Sequence, residues 1–262
     1  MKAVILCGGR GTRLREETEF KPKPLVEIGG KPMLWHIMKI YSQYGIKDFI
    51  LCLGYKGDMI KDYFLNYETR SHDFNINLKS GELNVLNNSM EDWNITCVDT
   101  GLNAETGARI KKIEKYIDDD EFFLTYGDGV ADINIDELYK FHKDHGKIGT
   151  VTAVRPLSRF GLLSISGENL ITDFSKKSLV HDGWIDGGFF VFNRKIFDYL
   201  EDNDSCILEG APLKNLSKDN QFMSFKHTGF WQCMDTSKHV NLLNALWNSE
   251  NAKWRMWDDV EK

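Results

Sequence analysis

An α/β fold with a mostly parallel sheet covered by helices is predicted from three observations. The stretch Lys2-Ala-Val-Ile-Leu-Cys7 is a continuous apolar run closed by Gly8-Gly9, the pattern of a strand buried on both faces. A second such run, Asp48 to Gly54, follows a stretch with helical periodicity. A third, Glu121 to Tyr126, ends in Gly127-Asp128-Gly129. Alternation of this kind places helices over a parallel sheet and ligands at the carboxyl ends of its strands.

The elements follow in order. Between the first two strands, Leu34, Ile37, Met38 and Tyr41 recur at helical spacing and predict a helix over Met33 to Tyr44. A second helix is expected over Lys56 to Tyr67. From residue 66 to residue 94 the period changes: Phe74, Ile76 and Leu78 alternate, Ser80-Gly81 supplies a turn, and Leu83 and Val85 resume the alternation. This predicts a β-hairpin flap inserted in one domain that spans residues 1–262. Val151 to Val154, Leu162 to Ile165 and Gly187 to Phe192 make a strand-rich second half that extends the sheet. The tail, residues 237–262, is amphipathic through Val240, Leu243 and Leu246 and carries Trp247, Trp254 and Trp257. It is expected to be helical, covering either a second subunit or its own domain.

Composition narrows the function. Against 39 acidic side chains stand 33 basic ones, for a formal charge of −6, and no basic face suited to nucleic acid is visible. Five cysteines, odd in number, far apart and without a C-x-x-C pair, argue against a disulfide framework or zinc knuckle and for a reducing cytoplasm. No stretch approaches the ~20 apolar residues of a membrane span, and the N-terminus runs directly into a core strand rather than a signal peptide.

Chemistry concentrates in three places. Gly8-Gly9-Arg10-Gly11-Thr12-Arg13 follows the first strand directly. A glycine turn lets backbone N–H groups approach a polyphosphate, and an arginine beside it neutralises phosphate charge. The spacing is neither that of a Walker loop nor that of the dinucleotide fingerprint; taken alone it also fits an ordinary glycine-rich turn. Lys21-Pro22-Lys23-Pro24 comes next, where each proline favours an extended lysine before it and one ammonium can be fixed toward the glycine loop. By itself the run also fits a solvated loop. The third feature is a pair of acidic turns, Asp128 in Tyr126-Gly-Asp-Gly129 and Asp235 in Phe230-Trp-Gln-Cys-Met-Asp-Thr236. A hard cation such as Mg²⁺ is held by one or two carboxylates with substrate phosphates and water. Asp128 also suits a plain turn, whereas Asp235 sits among aromatic residues, where an acid needs a partner or a metal.

Taken together and in order, Gly8 to Arg13, Lys21 to Pro24, Gly29-Gly-Lys-Pro-Met33, Val98-Asp-Thr-Gly101, Thr106-Gly-Ala-Arg109, Tyr126 to Gly129, Gly187-Gly-Phe-Phe190 and Gly229 to Thr236 resemble the sugar-phosphate nucleotidyltransferase family over nearly the whole chain. Within it the pattern is most similar to the glucose-1-phosphate cytidylyltransferases. The resemblance implies a Rossmann-like three-layer fold and transfer of CMP from CTP to a phosphorylated acceptor, giving CDP-acceptor and diphosphate. It implies Arg13, Lys23 and Asp128 as catalytic residues. The nucleotide would be bound by Leu6, Gly8, Gly9, Gly11, Thr12, Arg13, Lys23, Thr106, Arg109, Gly127 and Asp128, and Mg²⁺ by Asp128 and Asp235. The expected partners are CTP and a small phosphorylated acceptor, in a cytoplasmic homo-oligomer that binds neither nucleic acid nor membrane.

The acceptor pocket departs from the family. Where the family has Glu-Lys-Pro, this chain has Lys176-Lys177-Ser178, and where glucose-specific members have Asn-Gly-Gly it has Asp186-Gly187-Gly188. Lys176, Lys177, Asp186 and Gly187 are the expected acceptor contacts. Exchanging a carboxylate for an ammonium reverses hydrogen-bond polarity at that position. The expectation is therefore an acceptor other than α-D-glucose 1-phosphate, for instance a zwitterionic phospho-amino acid such as L-glutamine phosphate. A reading of another class, a catalytically silent nucleotide-binding regulatory protein, is opposed by the intact set Arg13, Lys23, Asp128 and Asp235.

Overall fold

The computed structural model describes residues 1–86, 90–155, 162–165, 171–175 and 183–257. Its strands are β1 (Lys2–Leu6), β2 (Glu27–Ile28), β3 (Lys31–Pro32), β4 (Asp48–Leu53), β5 (Phe74–Asn77), β6 (Glu82–Val85), β7 (Asn94–Asp99), β8 (Glu121–Tyr126), β9 (Gly129–Ala131), β10 (Gly149–Val154), β11 (Leu162–Ile165), β12 (Ile171–Ser175), β13 (Ile185–Asn193), β14 (Phe222–His227) and β15 (Trp231–Cys233). The helices are α1 (Arg15–Thr18), α2 (Met33–Ser42), α3 (Gly57–Leu65), α4 (Tyr67–Ser71), α5 (Thr106–Lys112), α6 (Ile135–His145), α7 (Ala211–Lys218) and α8 (Ser237–Asn248).

Seven strands form one sheet in the order β14-β10-β13-β8-β1-β4-β7. β1 pairs in parallel with β4 and β8, and β4 with β7, while β13 runs antiparallel between β8 and β10. Because successive side chains point to opposite faces of a strand, β1 feeds two cores. Ala3 and Ile5 join Leu34, Ile37, Met38 and Tyr41 of α2 on one face; Val4 and Leu6 join Ile110 of α5, Phe122 and Phe197 on the other. Each such large apolar side chain removed from water contributes on the order of 2 kcal/mol, so the sheet is sealed on both sides. This is the three-layer Rossmann-like arrangement expected.

Three local expectations are revised. The stretch after α3 does not continue as flap, since residues 67–71 form α4 and the hairpin proper is β5 and β6, with Gly81 at φ 78° in its turn. The Leu162–Ile165 strand pairs with Ile171–Ser175 in a two-stranded sheet of its own instead of extending the main sheet. In the tail, α8 ends at Asn248, and beyond it Trp254 (1% exposed) and Trp257 (8% exposed) pack back onto the same chain. Trp257 meets Trp35 edge to face, and the Trp254 Nε1–H donates to Nδ1 of buried His36 at 3.4 Å. Among the described residues, no helix is long and apolar enough to cross a membrane.

Candidate active site

Four side chains far apart in sequence meet at the carboxyl end of the sheet. Lys23 Nζ donates to Asp128 Oδ2 at 2.5 Å and to Asp235 Oδ1 at 2.7 Å, and Arg13 Nη1 donates to Asp235 Oδ2 at 2.7 Å. Backbone structure sets this up. β8 ends at Tyr126, Gly127 and Asp128 turn into β9, and β9 pairs antiparallel with β15, which Met234 and Asp235 follow directly. The Met234 N–H donates to the Asp128 carbonyl at 2.7 Å, fastening the two aspartates side by side. The Asp235 N–H donates to His239 Nδ1 at 3.2 Å.

Lys23 reaches them from a single 3-10 turn, Lys23–Leu25, rather than from the extended segment expected. Pro22 is extended, and Pro24 falls in the first turn of the 3-10 helix, where a proline lacks only an N–H that has no partner there. The Lys23 side chain is 11% exposed, whereas Lys21 points away toward Glu27. Burial opposes charge on Lys23, but Asp128 and Asp235 outweigh it and raise its pKa. Burial likewise works to raise the Asp235 carboxyl, and Lys23 and Arg13 overcome it, holding Asp235 below the ordinary carboxylate value.

The glycine loop is built for a different reason at each position. Gly11 has φ 63° and caps the 3-10 turn Thr12–Leu14, a left-handed conformation natural to glycine. Gly9 has open space where a side chain would stand. At Gly8 the space is taken by Arg109, as it is at Gly54. The Arg109 guanidinium, 4% exposed for the whole residue, donates to the carbonyls of Gly8 (3.0 Å), Leu53 (3.0 Å) and Gly101 (2.8 Å) and to Thr100 Oγ1 (2.7 Å). Arg109 thus ties together the ends of β1, β4 and β7.

All eleven expected nucleotide residues, Leu6, Gly8, Gly9, Gly11, Thr12, Arg13, Lys23, Thr106, Arg109, Gly127 and Asp128, line one cleft of about 240 Å³. A second hollow of about 390 Å³ shares Arg13, Thr106, Tyr126 and Asp128 with it and adds Asp186, Gly187, Glu209, Trp231 and Asp235. Asp186 and Gly187, two of the expected acceptor contacts, thus line the hollow next to the first cleft. Lys176 and Lys177, with Ser178, lie outside the described residues.

Glu209 was not anticipated. Its Oε2 accepts from Thr106 Oγ1 at 2.7 Å, and its Oε1 accepts from the Tyr126 hydroxyl. That hydroxyl also stands 3.3 Å from Asp186 Oδ2, while Asp186 Oδ1 accepts from the Gly188 N–H at 2.7 Å. A phenol has one proton, so it can serve only one of these two carboxylates, each of which also accepts from a second donor, Thr106 for Glu209 and the Gly188 N–H for Asp186. Desolvation, with the Glu209 carboxylate nearby, pushes Asp186 up to about 6. Burial, Asp186 and Glu209 hold the Tyr126 hydroxyl far above its ordinary range. No sequence motif marked Glu209, because its partners are 83 and 103 residues away.

The donor set fits a divalent cation. The Asp128 and Asp235 oxygens converge on a single point, now taken by the Lys23 ammonium, and two carboxylates are what a hard ion completes with phosphate and water. Among the described residues no group of three or more His, Cys, Asp or Glu could hold a metal without such help.

The family model for nucleotidyl transferase matches residues 2–260. The glucose-1-phosphate cytidylyltransferases of Salmonella typhi and Salmonella typhimurium are each 49% identical over 259 residues, covering 98% of this chain and all of theirs. The crystal structure of HddC from Yersinia pseudotuberculosis superimposes with a TM-score of 0.68 at 22% identity, over 94% of this chain and 99% of that one. The inositol-1-phosphate CTP transferase of T. maritima gives 0.66 at 16% identity, over 98% and 97%. These two share the fold. By the match to the family model and the near-half identity to full-length relatives, this chain belongs to the nucleotidyl transferase family.

Proposed function

We propose that the protein is a cytidylyltransferase that transfers CMP from CTP to a sugar 1-phosphate, releasing diphosphate. The carrying observation is that Arg13, Lys23, Asp128 and Asp235 meet where the two clefts join, Arg13 and Asp128 lining both, Lys23 the first and Asp235 the second, the place where a triphosphate and an acceptor phosphate would touch. An acceptor phosphate oxygen attacks the α-phosphorus in line. The bond to the bridging oxygen breaks, and diphosphate leaves with its electron pair. Arg13 and Lys23 stabilise the charge growing on that oxygen more strongly in the transition state than in the ground state. An acceptor phosphate is already anionic at neutral pH, so no protein base is required. Mg²⁺ on Asp128 and Asp235, when bound, would add Lewis-acid polarisation of the phosphate oxygens.

Thr106 and Gly127 are assigned to the nucleotide cleft, Asp186 and Gly187 to the acceptor. Arg109 is assigned a positioning role, since its four hydrogen bonds fix the loop that the phosphates would rest on. In the Asp186–Tyr126–Glu209 group the single phenolic proton serves one carboxylate at a time, and a sugar hydroxyl is the donor proposed for the other. A second reading, an acceptor carrying an ammonium such as a phospho-amino acid, is favoured by two carboxylates that make no ion pair among the described residues. A single catalytic unit is supported by the family match over residues 2–260. Assembly into a homo-oligomer through the flap is supported by the exposure of Leu78 (88%) and Leu86 (65%).

The test is product analysis by mass spectrometry after incubation with Mg²⁺, each nucleoside triphosphate in turn, and a panel holding glucose 1-phosphate, glucosamine 1-phosphate and L-glutamine phosphate. CDP-sugar from CTP supports the first reading and a CDP-amino acid the second. CTP binding without release of diphosphate from CTP in the presence of any acceptor would favour the silent, regulatory reading.

A further inference from the structure

The two carboxylates assigned to the metal are already neutralised by the protein's own cations. Asp128 and Asp235 bring two negative charges; Lys23 and Arg13 bring two positive ones, all within 2.7 Å contacts. The cations are not equivalent. Arg13 is 70% exposed and caps Asp235 from the solvent side, whereas Lys23 is 11% exposed and sits between both acids. A divalent ion arriving alone would enter the seat of an ammonium that prolines on either side hold on a short turn. It would leave the site with two surplus positive charges in a partly desolvated cleft, where like charges repel strongly.

A triphosphate changes the balance. The Lys23 stem runs beside Gly11, in the wall of the cleft formed by the glycine loop. Rotation of the side chain alone therefore carries its ammonium from the carboxylates toward phosphate lying on that loop. The charges then pair in a new way, Lys23 and Arg13 with phosphate, and the two aspartates with the dication.

We propose that Lys23, backed by Arg13, is a resident counter-ion that keeps the Asp128–Asp235 pair closed to free divalent cation and opens it only when a triphosphate draws the ammonium away. Metal and nucleotide binding are then coupled, each strengthening the other, as linkage requires. Lys23 has two roles at one position, a stand-in for the metal before nucleotide arrives and a phosphate ligand afterwards. The inference rests on the reading of Asp128 and Asp235 as metal ligands.

Mn²⁺ binding followed by electron paramagnetic resonance tests it without reference to turnover. Nucleotide-free wild-type protein, Lys23→Met and Arg13→Gln are titrated with Mn²⁺ alone. Lys23→Met is expected to bind Mn²⁺ at least tenfold more tightly than wild type, and Arg13→Gln several-fold more tightly. The melting temperature of Lys23→Met should rise with added Mn²⁺ while that of wild type stays fixed. Equal Mn²⁺ affinity in wild type and in both variants overturns the proposal. If Lys23→Met does not fold, because Asp128 is left facing Asp235 without the ammonium between them, Arg13→Gln decides by the same criterion. The metal-ligand reading is tested separately with wild type and Asp235→Asn in the presence of Mn²⁺ and α,β-methylene-CTP. Mn²⁺ retained by wild type and lost from Asp235→Asn supports that reading even where the counter-ion proposal fails. Retention by both defeats it.

Discussion

Arg109 fills the space that a side chain at residue 8 would need, and its Nη2 donates to the Gly8 carbonyl at 3.0 Å. The glycine at the end of β1 is thus required by an arginine behind the loop as much as by anything in front of it. Gly8→Ala should displace the guanidinium and break several of its hydrogen bonds at once. Leaving buried carbonyls unpaired costs about 1–3 kcal/mol each, so the expected loss is about 3 kcal/mol or more in urea denaturation. Gly9→Ala, which meets open space, should lose less than about 1 kcal/mol. Equal stability for the two variants would refute this division of labour within the loop.

Asp235 carries the sharpest catalytic expectation. Asp235→Asn keeps the shape and leaves Lys23 its second partner, Asp128. The change should lower kcat by about a hundredfold or more, the size typical of removing one charge-stabilising group, while circular dichroism stays native. Near-normal turnover would remove Asp235 from the site.

Assigning the second hollow to the acceptor predicts a split between substrates. Asp186 is pushed up to about 6, so it is ionised above that pH and able to accept from a sugar hydroxyl. The acceptor KM should rise as pH falls below about 6, and Asp186→Asn should abolish this inflection in steady-state profiles. Glu209→Gln should raise the acceptor KM about tenfold, the cost of one hydrogen bond to a charged group, and change the CTP KM far less. A Glu209 effect confined to CTP would place this residue with the nucleotide instead.

Stability should fall in acid through two buried histidines. Burial lowers both His36 and His142 to about 4. Between pH 6.5 and about 4 the unfolded chain takes up protons at these positions and the folded chain does not. Stability therefore decreases as pH falls through this window, by up to about 3 kcal/mol for each histidine. The His36 Nε2–H donates to the Ile28 carbonyl at 2.8 Å while Nδ1 accepts from Trp254, so the neutral form is the one the tail packs against. His36→Gln should flatten the pH dependence of the urea midpoint; an unchanged slope would assign the acid loss elsewhere.

The layout of the sheet was legible because β1, β4 and β8 are continuous apolar runs, each read without knowledge of its partners. That the expected nucleotide residues share one cleft has a related reason: most of them are close to a strand end, so local sequence carries global position. Lys23 was picked out by its place beside the glycine loop, yet its turn conformation was misjudged, because the proline rule for the preceding residue yielded to a 3-10 turn. Glu209 was invisible. Its role depends on contacts with Thr106 and Tyr126, and a Leu-Glu-Gly turn advertises nothing of them. The tail was half legible, since periodicity marked α8 while the tryptophans' return to His36 is purely tertiary.

Arg13, Lys23, Asp128 and Asp235 are proposed to surround one metal-bound triphosphate. This arrangement is tested most directly by a crystal structure with Mn²⁺ and α,β-methylene-CTP, read at the manganese absorption edge. One anomalous peak is expected within about 2.0–2.6 Å, the range of hard divalent cations to oxygen, of carboxylate oxygens of both Asp128 and Asp235, with Arg13 and Lys23 moved onto phosphate oxygens. A triphosphate bound elsewhere, or a metal that touches neither aspartate, would contradict the arrangement.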